Sequence, residues 1–246
     1  MKSICYDLRR AIAGRWFFAT LIAATAALYL SVGQATYGLL GYLESIDMYE
    51  DSFWYSVSDL LVLGMKGDFG MLTLPALSAL PFAAQALHEI KSGAIRPAVF
   101  RTGRKNWIIG KVAGCVISGM LLQGAAVGLL FLILNGLTVA MIRQGFPWGE
   151  GGDFWPILLR RMLCGGIWAG VGCVIALATE TASVAYLSPL CLCYALMMIG
   201  TRFFPDAAML NPMQWMSGAT WFLVLLLVVT IAIQVLSLKR GVQRYA

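Results

Sequence analysis

The chain has 246 residues, 60% of them hydrophobic and 12% charged, with a mean hydropathy of +0.78 and a formal net charge of +6. Soluble domains run near a quarter charged, so this composition excludes an ordinary soluble enzyme and fits a membrane protein built mostly of helices. Its excess of basic residues would suggest nucleic acid in a soluble chain, but here topology and anionic lipid account for it, and nucleic acid is not expected as a partner.

Residues 1–15 precede the first apolar stretch. Ile4, Leu8, Ala11 and Ile12 recur at helical spacing, while Asp7 and Arg10 take other faces. That is the pattern of a short amphipathic helix lying in the membrane interface, with a plain basic flank as the alternative. About 20 apolar residues cross a hydrocarbon core of about 30 Å, and six stretches qualify: 16–32, 69–87, 107–142, 157–179, 184–200 and 219–236. The first has basic residues before it and the small residues Gly33 and Ala35 after it, as a signal peptide would. It is expected to remain as an anchor.

Residues 34–68 are expected to form the longest loop, on the outer side, with Glu44, Asp47, Glu50, Asp51, Asp59 and Asp68 against Lys66. Phe53, Trp54, Val57, Leu60, Leu61 and Leu63 suggest a helix there, packed on the membrane surface or the outer mouth. The second stretch contains Pro75 and Pro81, each of which removes a backbone donor and locally opens a helix. The third is longer than one crossing requires and is expected to begin in the interface or project beyond the bilayer. Gly110/Gly114, Gly124/Gly128 and Gly166/Gly170 are each four apart, a spacing that lets helices approach closely; packing inside one chain is the simpler use, dimerisation the sharper one. In the segment 201–218, Phe203, Phe204, Met213, Trp215 and Met216 read as a cap on the outer leaflet.

With the N-terminus inside, 13 of the 18 Lys and Arg residues fall on the inner side, and only Lys66, Arg143, Arg160, Arg161 and Arg202 on the outer. The positive-inside bias therefore places both termini in the cytoplasm. The six cysteines lie in spans or on the inner side, so disulfides are not expected, and Cys191 and Cys193 read as packing residues. Ionisable groups in mid-span mark ion or proton pathways, and here they look scarce, with Glu180 at the inner end of the fourth span and Arg160 and Arg161 at its outer end. Gln85, Gln123 and Asn135 are polar without titrating. The single histidine, His88 beside Glu89, has no nucleophile elbow or paired metal-binding histidine to work with. The chain is expected to be neither an enzyme nor a metal protein.

The stretch "RTGRKNWIIGKVAG", 101–114, resembles a phosphate loop only superficially. The glycine required five positions before Gly110 is replaced by Lys105, and the magnesium-binding hydroxyl by Val112, so ATP is not expected to bind here. The surrounding segment, 86–111, says more. Residues 86–95 read as a helix continuing out of the bilayer and ended near Arg96 by Pro97. Glu89, then Gly93, then Thr102 with Arg104, the aromatic Trp107 and Lys111 opening the third span form a pattern similar to the segment after the second span in type-2 ABC exporter permeases.

The resemblance implies an all-α fold, a single transmembrane domain over 1–246 with six spans and an N-terminal interfacial helix. It implies a permease that pairs with a second permease subunit, as homodimer or heterodimer, in the inner (plasma) membrane of a bacterium. A separate ABC ATPase subunit would carry ATP and magnesium, and this chain would hold no cofactor. By position, His88, Glu89, Lys91 and Ser92 would meet that ATPase, with Gly93, Arg96, Arg101 and Arg104 completing the coupling segment; the arginines would form charge pairs or hold lipid phosphates. An ATP-independent carrier or channel is the alternative function, and a non-transporting membrane scaffold a further one. No residue pattern names a substrate.

Overall fold

The computed structural model describes residues 2–44, 57–142, 153–205 and 207–245. Every regular element among them is helical, in the order α1 (Lys2–Ile12), α2 (Arg15–Glu44), α3 (Val57–Lys66), α4 (Asp68–Ala79), α5 (Gln85–Lys91), α6 (Ile95–Thr102), α7 (Arg104–Ile142), α8 (Phe154–Thr179), α9 (Ala182–Phe203), two short 3-10 turns (Ala208–Leu210 and Pro212–Met216) and α10 (Thr220–Tyr245). Among the described residues, five helices are long and apolar enough to cross a membrane, or six if the bent pair α3–α4 counts as one span. This is the makeup of a multi-pass membrane protein. Several hydroxyls in the apolar helices bond back onto their own backbone, as Thr20 does to Trp16 O at 2.8 Å and Thr25 to Leu21 O at 2.9 Å, which satisfies those donors in an apolar medium.

The bundle is built around α7 and α8, which run antiparallel and touch backbone to backbone. A Cβ placed on Gly119 would lie 2.5 Å from Gly165 O, and one on Gly165 would lie 2.5 Å from Gly119 O. Only glycine allows this crossing, and it sets the register of both helices. The glycines singled out by spacing mostly serve packing inside the chain: Gly114 against Phe82, Gly124 against Met162, Gly166 against Met120 and Gly170 against Thr230. Gly128 faces open space. Two apolar clusters fill the interior. One joins α2, α3, α4, α7 and α8 to the second 3-10 turn, where Trp168 and Trp215 stack with ring centres 5.8 Å apart. The other gathers α5, the start of α7, the end of α8 and the end of α10 around Trp107.

Several expectations are corrected. The second span is not one helix over 69–87. It is α3 and α4, bent by 67° at Gly67, and the helix dissolves into turns after Ala79, around Pro81. Pro75 sits inside α4 without being the site of the bend. The stretch 34–68 is helical at both its described ends, in α2 up to Glu44 and again from Val57, whose side chain is buried with those of Leu61 and Met65; the acidic residues Asp47, Glu50 and Asp51 and the aromatics Phe53 and Trp54 lie outside the described residues, as does Arg143. Pro97 does not end a helix. The helix after the turn stops at Lys91, Gly93 turns the chain with φ +74°, and Pro97 falls in the first turn of α6, where its missing donor costs nothing. Of the expected outer cap, Phe203 and Phe204 are exposed, but Trp215 and Met216 turn inward onto the bundle.

Candidate functional site

Three helix pairs at i,i+4 or i,i+3 spacing meet at the end of the bundle where α1, α5, α6 and the start of α7 gather. Residues so spaced share a helix face. From α7 come Trp107 and Lys111, from α5 Gln85 and Glu89, and from α1 Asp7 and Arg10. Lys111, only 2% exposed, stands at the centre. Its ammonium donates to Asp7 Oδ1 at 2.7 Å and to Glu89 Oε1 at 2.7 Å. It also lies over the rings of Phe82 and Trp107, 5.6 and 5.9 Å from their centres, where ring quadrupoles favour a cation.

Glu89 in turn collects four donors. Lys111, Gln85 Nε2 at 3.2 Å and Arg10 Nη1 at 3.2 Å reach Oε1, while Trp107 Nε1 reaches Oε2 at 3.2 Å. Burial by itself pushes this carboxyl up, but the bond and charge of Lys111 and the donations from Gln85 and Trp107 outweigh it, and the group sits below the usual carboxylate range. The two cations and two carboxylates balance, and together they tie α1 to α5 and both to α7. A groove of about 600 Å³ opens beside them, lined by Asp7, Arg10, His88, Glu89, Arg101 and Lys111 among others.

The structure separates the expected site residues into two sets. Glu89 points inward and is consumed by the cluster. His88, Ser92 and Arg101 are exposed along the groove, and Ser92 Oγ donates to Glu89 O at 3.3 Å. Lys91 is exposed on another side, by Glu180 and Arg240 between α5, α8 and α10. Gly93 is the turn itself, Arg96 is exposed on α6, and Arg104 donates to Lys239 O at 3.1 Å, fastening α7 to α10. The sequence reading missed Phe100, a 93% exposed aromatic on α6 between the arginines 96 and 101. It also set Asp7 off the apolar face of the first helix, and the structure buries it. Asp7 is the first carboxylate of the chain, with none following before Glu44, and that isolation in a basic segment is the signal that was available.

A second polar centre lies within the spans and corrects the expectation that they hold almost no charge. Arg161, two turns into α8, is 2% exposed. Its guanidinium donates to Gln123 Oε1 at 3.2 Å, Met65 O at 3.0 Å and Gly70 O at 3.2 Å. Gln123 passes the chain on to Ser78 Oγ at 2.8 Å, and Gly70 N donates to Ser31 Oγ at 2.6 Å. The bend at Gly67 explains the arrangement. It strips the Met65 carbonyl at the end of α3 of a helical partner, and a cation at a helix C-terminus meets both the hydrogen-bond need and the dipole; the Gly70 carbonyl lies in the first turn of α4. Among the described residues, no group of three or more His, Cys, Asp and Glu side chains gathers as a metal site. No protein-family model matches the chain, and no curated protein matches it.

Proposed function

We propose that this chain is the transmembrane permease subunit of an ATP-driven ABC exporter, forming half of the translocation pore and coupling to a separate ATPase subunit that holds ATP and magnesium. The observation that carries this reading is the pair of hydrogen bonds that the Lys111 ammonium donates to Asp7 and Glu89. An element that receives a push from a soluble motor must be short, exposed on one side and rigidly tied to a pore helix on the other. The α5–α6 segment fits that description. It presents His88, Ser92, Arg96, Phe100 and Arg101 outward and is fastened inward through Glu89 to Lys111 of α7. Phe100 supplies an apolar anchor and the arginines the charge, residue types enriched at protein interfaces.

In this reading both termini lie in the cytoplasm of a bacterium, α1 rests in the inner-membrane interface, and a second permease subunit completes the pore. ATP binding by the partner shifts the population between inward- and outward-open states, with α1, α5 and α7 moving as one body. A second reading, an ATP-independent carrier or channel, is favoured by Arg161, because ionisable groups inside spans commonly line ion or substrate paths.

The test is to tag the C-terminus, purify the chain gently from its native membrane and identify its companions by mass spectrometry. An ATPase subunit present at one per chain, with vanadate-sensitive ATP hydrolysis, supports the exporter. The chain alone, without hydrolysis, together with flux that follows an ion gradient in vesicles, selects the carrier or channel.

A further inference from the structure

The groove beside the ion cluster is walled by helix faces that the cluster leaves over. On α1, Tyr6 and Arg10 are four apart; on α6, Ala98, Arg101 and Thr102 follow the same helical spacing; at the end of α5 stands His88. Residues so spaced share a helix face, and all of these line the groove of about 600 Å³. The small side chain of Ala98 keeps it wide. Tyr6 and Arg10 also line a second recess, of about 290 Å³, together with Arg9. The two spaces therefore adjoin across one pair of side chains.

The charges do not cancel here. Lys111 and Arg10 balance Asp7 and Glu89. That leaves Arg101 in the groove and Arg9 in the recess as cations, with no carboxylate left to answer them among the residues lining either space. Arg10 gives one of its five donors to Glu89 and keeps half of its side chain exposed. Arginines that serve only to set topology can stand anywhere on the rim of a bundle. Placed on both walls of one groove they repel one another, and an anion between them removes that cost. Trp16, 60% exposed, follows α1 directly, with the Arg15 guanidinium 5.9 Å from its ring centre. An exposed tryptophan beside an arginine is typical of a membrane–water boundary, which sets the groove at the level of lipid headgroups.

We propose that this groove binds the headgroup of an anionic phospholipid, its phosphate held between Arg10 of α1 and Arg101 of α6, with Arg9 in the adjoining recess. Guanidinium forks match phosphate oxygens two at a time, and basic pockets between membrane helices take headgroups in this way. Tyr6, an exposed ring with a polar tip, suits the glycerol level. A zwitterionic lipid carries the same phosphate but brings a quaternary ammonium, which Arg9 and Arg10 disfavour, so the site selects net negative charge. Both α1 and α6 pack on α7, and the bound lipid joins them to each other across the groove. The site needs a membrane but no motor, so it holds under the exporter and the carrier readings alike. Phe100 is not among the residues lining the groove, and a protein docked there leaves the lipid in place.

The experiment uses the full chain, purified in detergent, stripped of native lipid and titrated with phosphatidylglycerol or phosphatidylcholine, the bound lipid being counted by native mass spectrometry. Wild type is expected to hold one phosphatidylglycerol, and phosphatidylcholine about tenfold more weakly. Arg9→Gln/Arg101→Gln spares Arg10 and the ion cluster. It is expected to weaken phosphatidylglycerol about thirtyfold, the worth of two cations against an anionic lipid, with an unchanged unfolding midpoint in lipid-free detergent. Lys91→Gln/Lys105→Gln removes the same charge from residues outside the groove and is expected to bind as wild type does. Arg101→Lys, which keeps the charge and loses the fork, is expected to fall between wild type and the double variant. Equal binding of the two lipids by wild type overturns the proposal, as does undiminished binding by Arg9→Gln/Arg101→Gln. An equal loss in the two double variants overturns it too, since diffuse charge would then suffice. Displacement of the lipid by equimolar inorganic phosphate assigns the groove to a soluble anion and overturns the lipid assignment.

Discussion

Lys111 and Arg161 are both withdrawn from solvent, and their surroundings are opposite in kind. Lys111 is neutralised by two carboxylates brought from two other helices. The partners of Arg161 are uncharged, two main-chain carbonyls and an amide. The difference follows from position and chemistry. At the end of the bundle, short helices can deliver acidic side chains to a lysine, a compact charge with three rotatable donors. Within the spans a carboxylate would be costly to insert, and the planar, always-charged guanidinium with its fixed fork suits carbonyls exposed by a bent helix. The first centre is conditional on the ionisation of its partners. The second is a permanent fastening of the α3–α4 bend.

The largest expected effect comes from removing the lysine. Lys111→Met leaves the buried Asp7 carboxylate without its cation and Glu89 with Arg10 alone to balance it, and is expected to cost about 3–5 kcal/mol, the usual result of unpairing a buried ion pair. Denaturant titration in detergent would measure it. Asp7→Asn/Glu89→Gln in the same background is expected to restore most of the loss, and failure to do so would break the charge account of the cluster. Arg161→Met comes next, at about 1–3 kcal/mol for acceptors left without a donor. Its partners are backbone, so no side-chain change is expected to rescue it, and Arg161→Lys is expected to recover only part because a lysine lacks the fork.

The same contrast reaches into pH. The Glu89 carboxyl is held below its ordinary value in the folded chain. Its contribution to stability is therefore fully present above the unfolded value of about 4.3 and is lost as the pH falls through the lower folded value. Unfolding midpoints measured from pH 7 to pH 3 are expected to drop for wild type, with a smaller drop for Glu89→Gln. In the Glu89→Gln background, Arg161→Met is expected to lower the midpoint equally at both ends of that range. A pH-dependent Arg161 contribution would dissolve the distinction between the centres.

Much of the helical layout was legible in the sequence because apolar runs of membrane length leave few other options, and the extra length of α7 was visible in the same way. The α3–α4 bend was not, since Gly67 is one glycine among 26 and what marks it is the contact of its backbone with Ser31. The same holds for Arg161. Counted along the chain it sits near a span's end, and only the folding of α3 and Gln123 around it makes it interior. At the candidate site, Glu89 and Lys111 stood out as residues, but their joining through Asp7 needed α1 to pack on α7, a contact across 104 positions. Phe100 looked like any apolar residue between two arginines until α6 turned it to solvent.

The smallest stability effect is expected at that exposed residue. Phe100→Ala should change unfolding free energy by no more than about 0.5 kcal/mol, as surface changes generally do, while reducing recovery of the proposed ATPase partner in pull-downs. A large loss of stability would mean that Phe100 packs rather than docks.

The most direct test of the central claim is to place a photo-crosslinking amino acid at position 100 and irradiate cells before opening them. The account predicts a covalent adduct between α6 and a soluble ATPase subunit, lost or much reduced when Lys111→Met is introduced. Adducts to lipid alone would contradict the assignment of this end of the bundle to a motor.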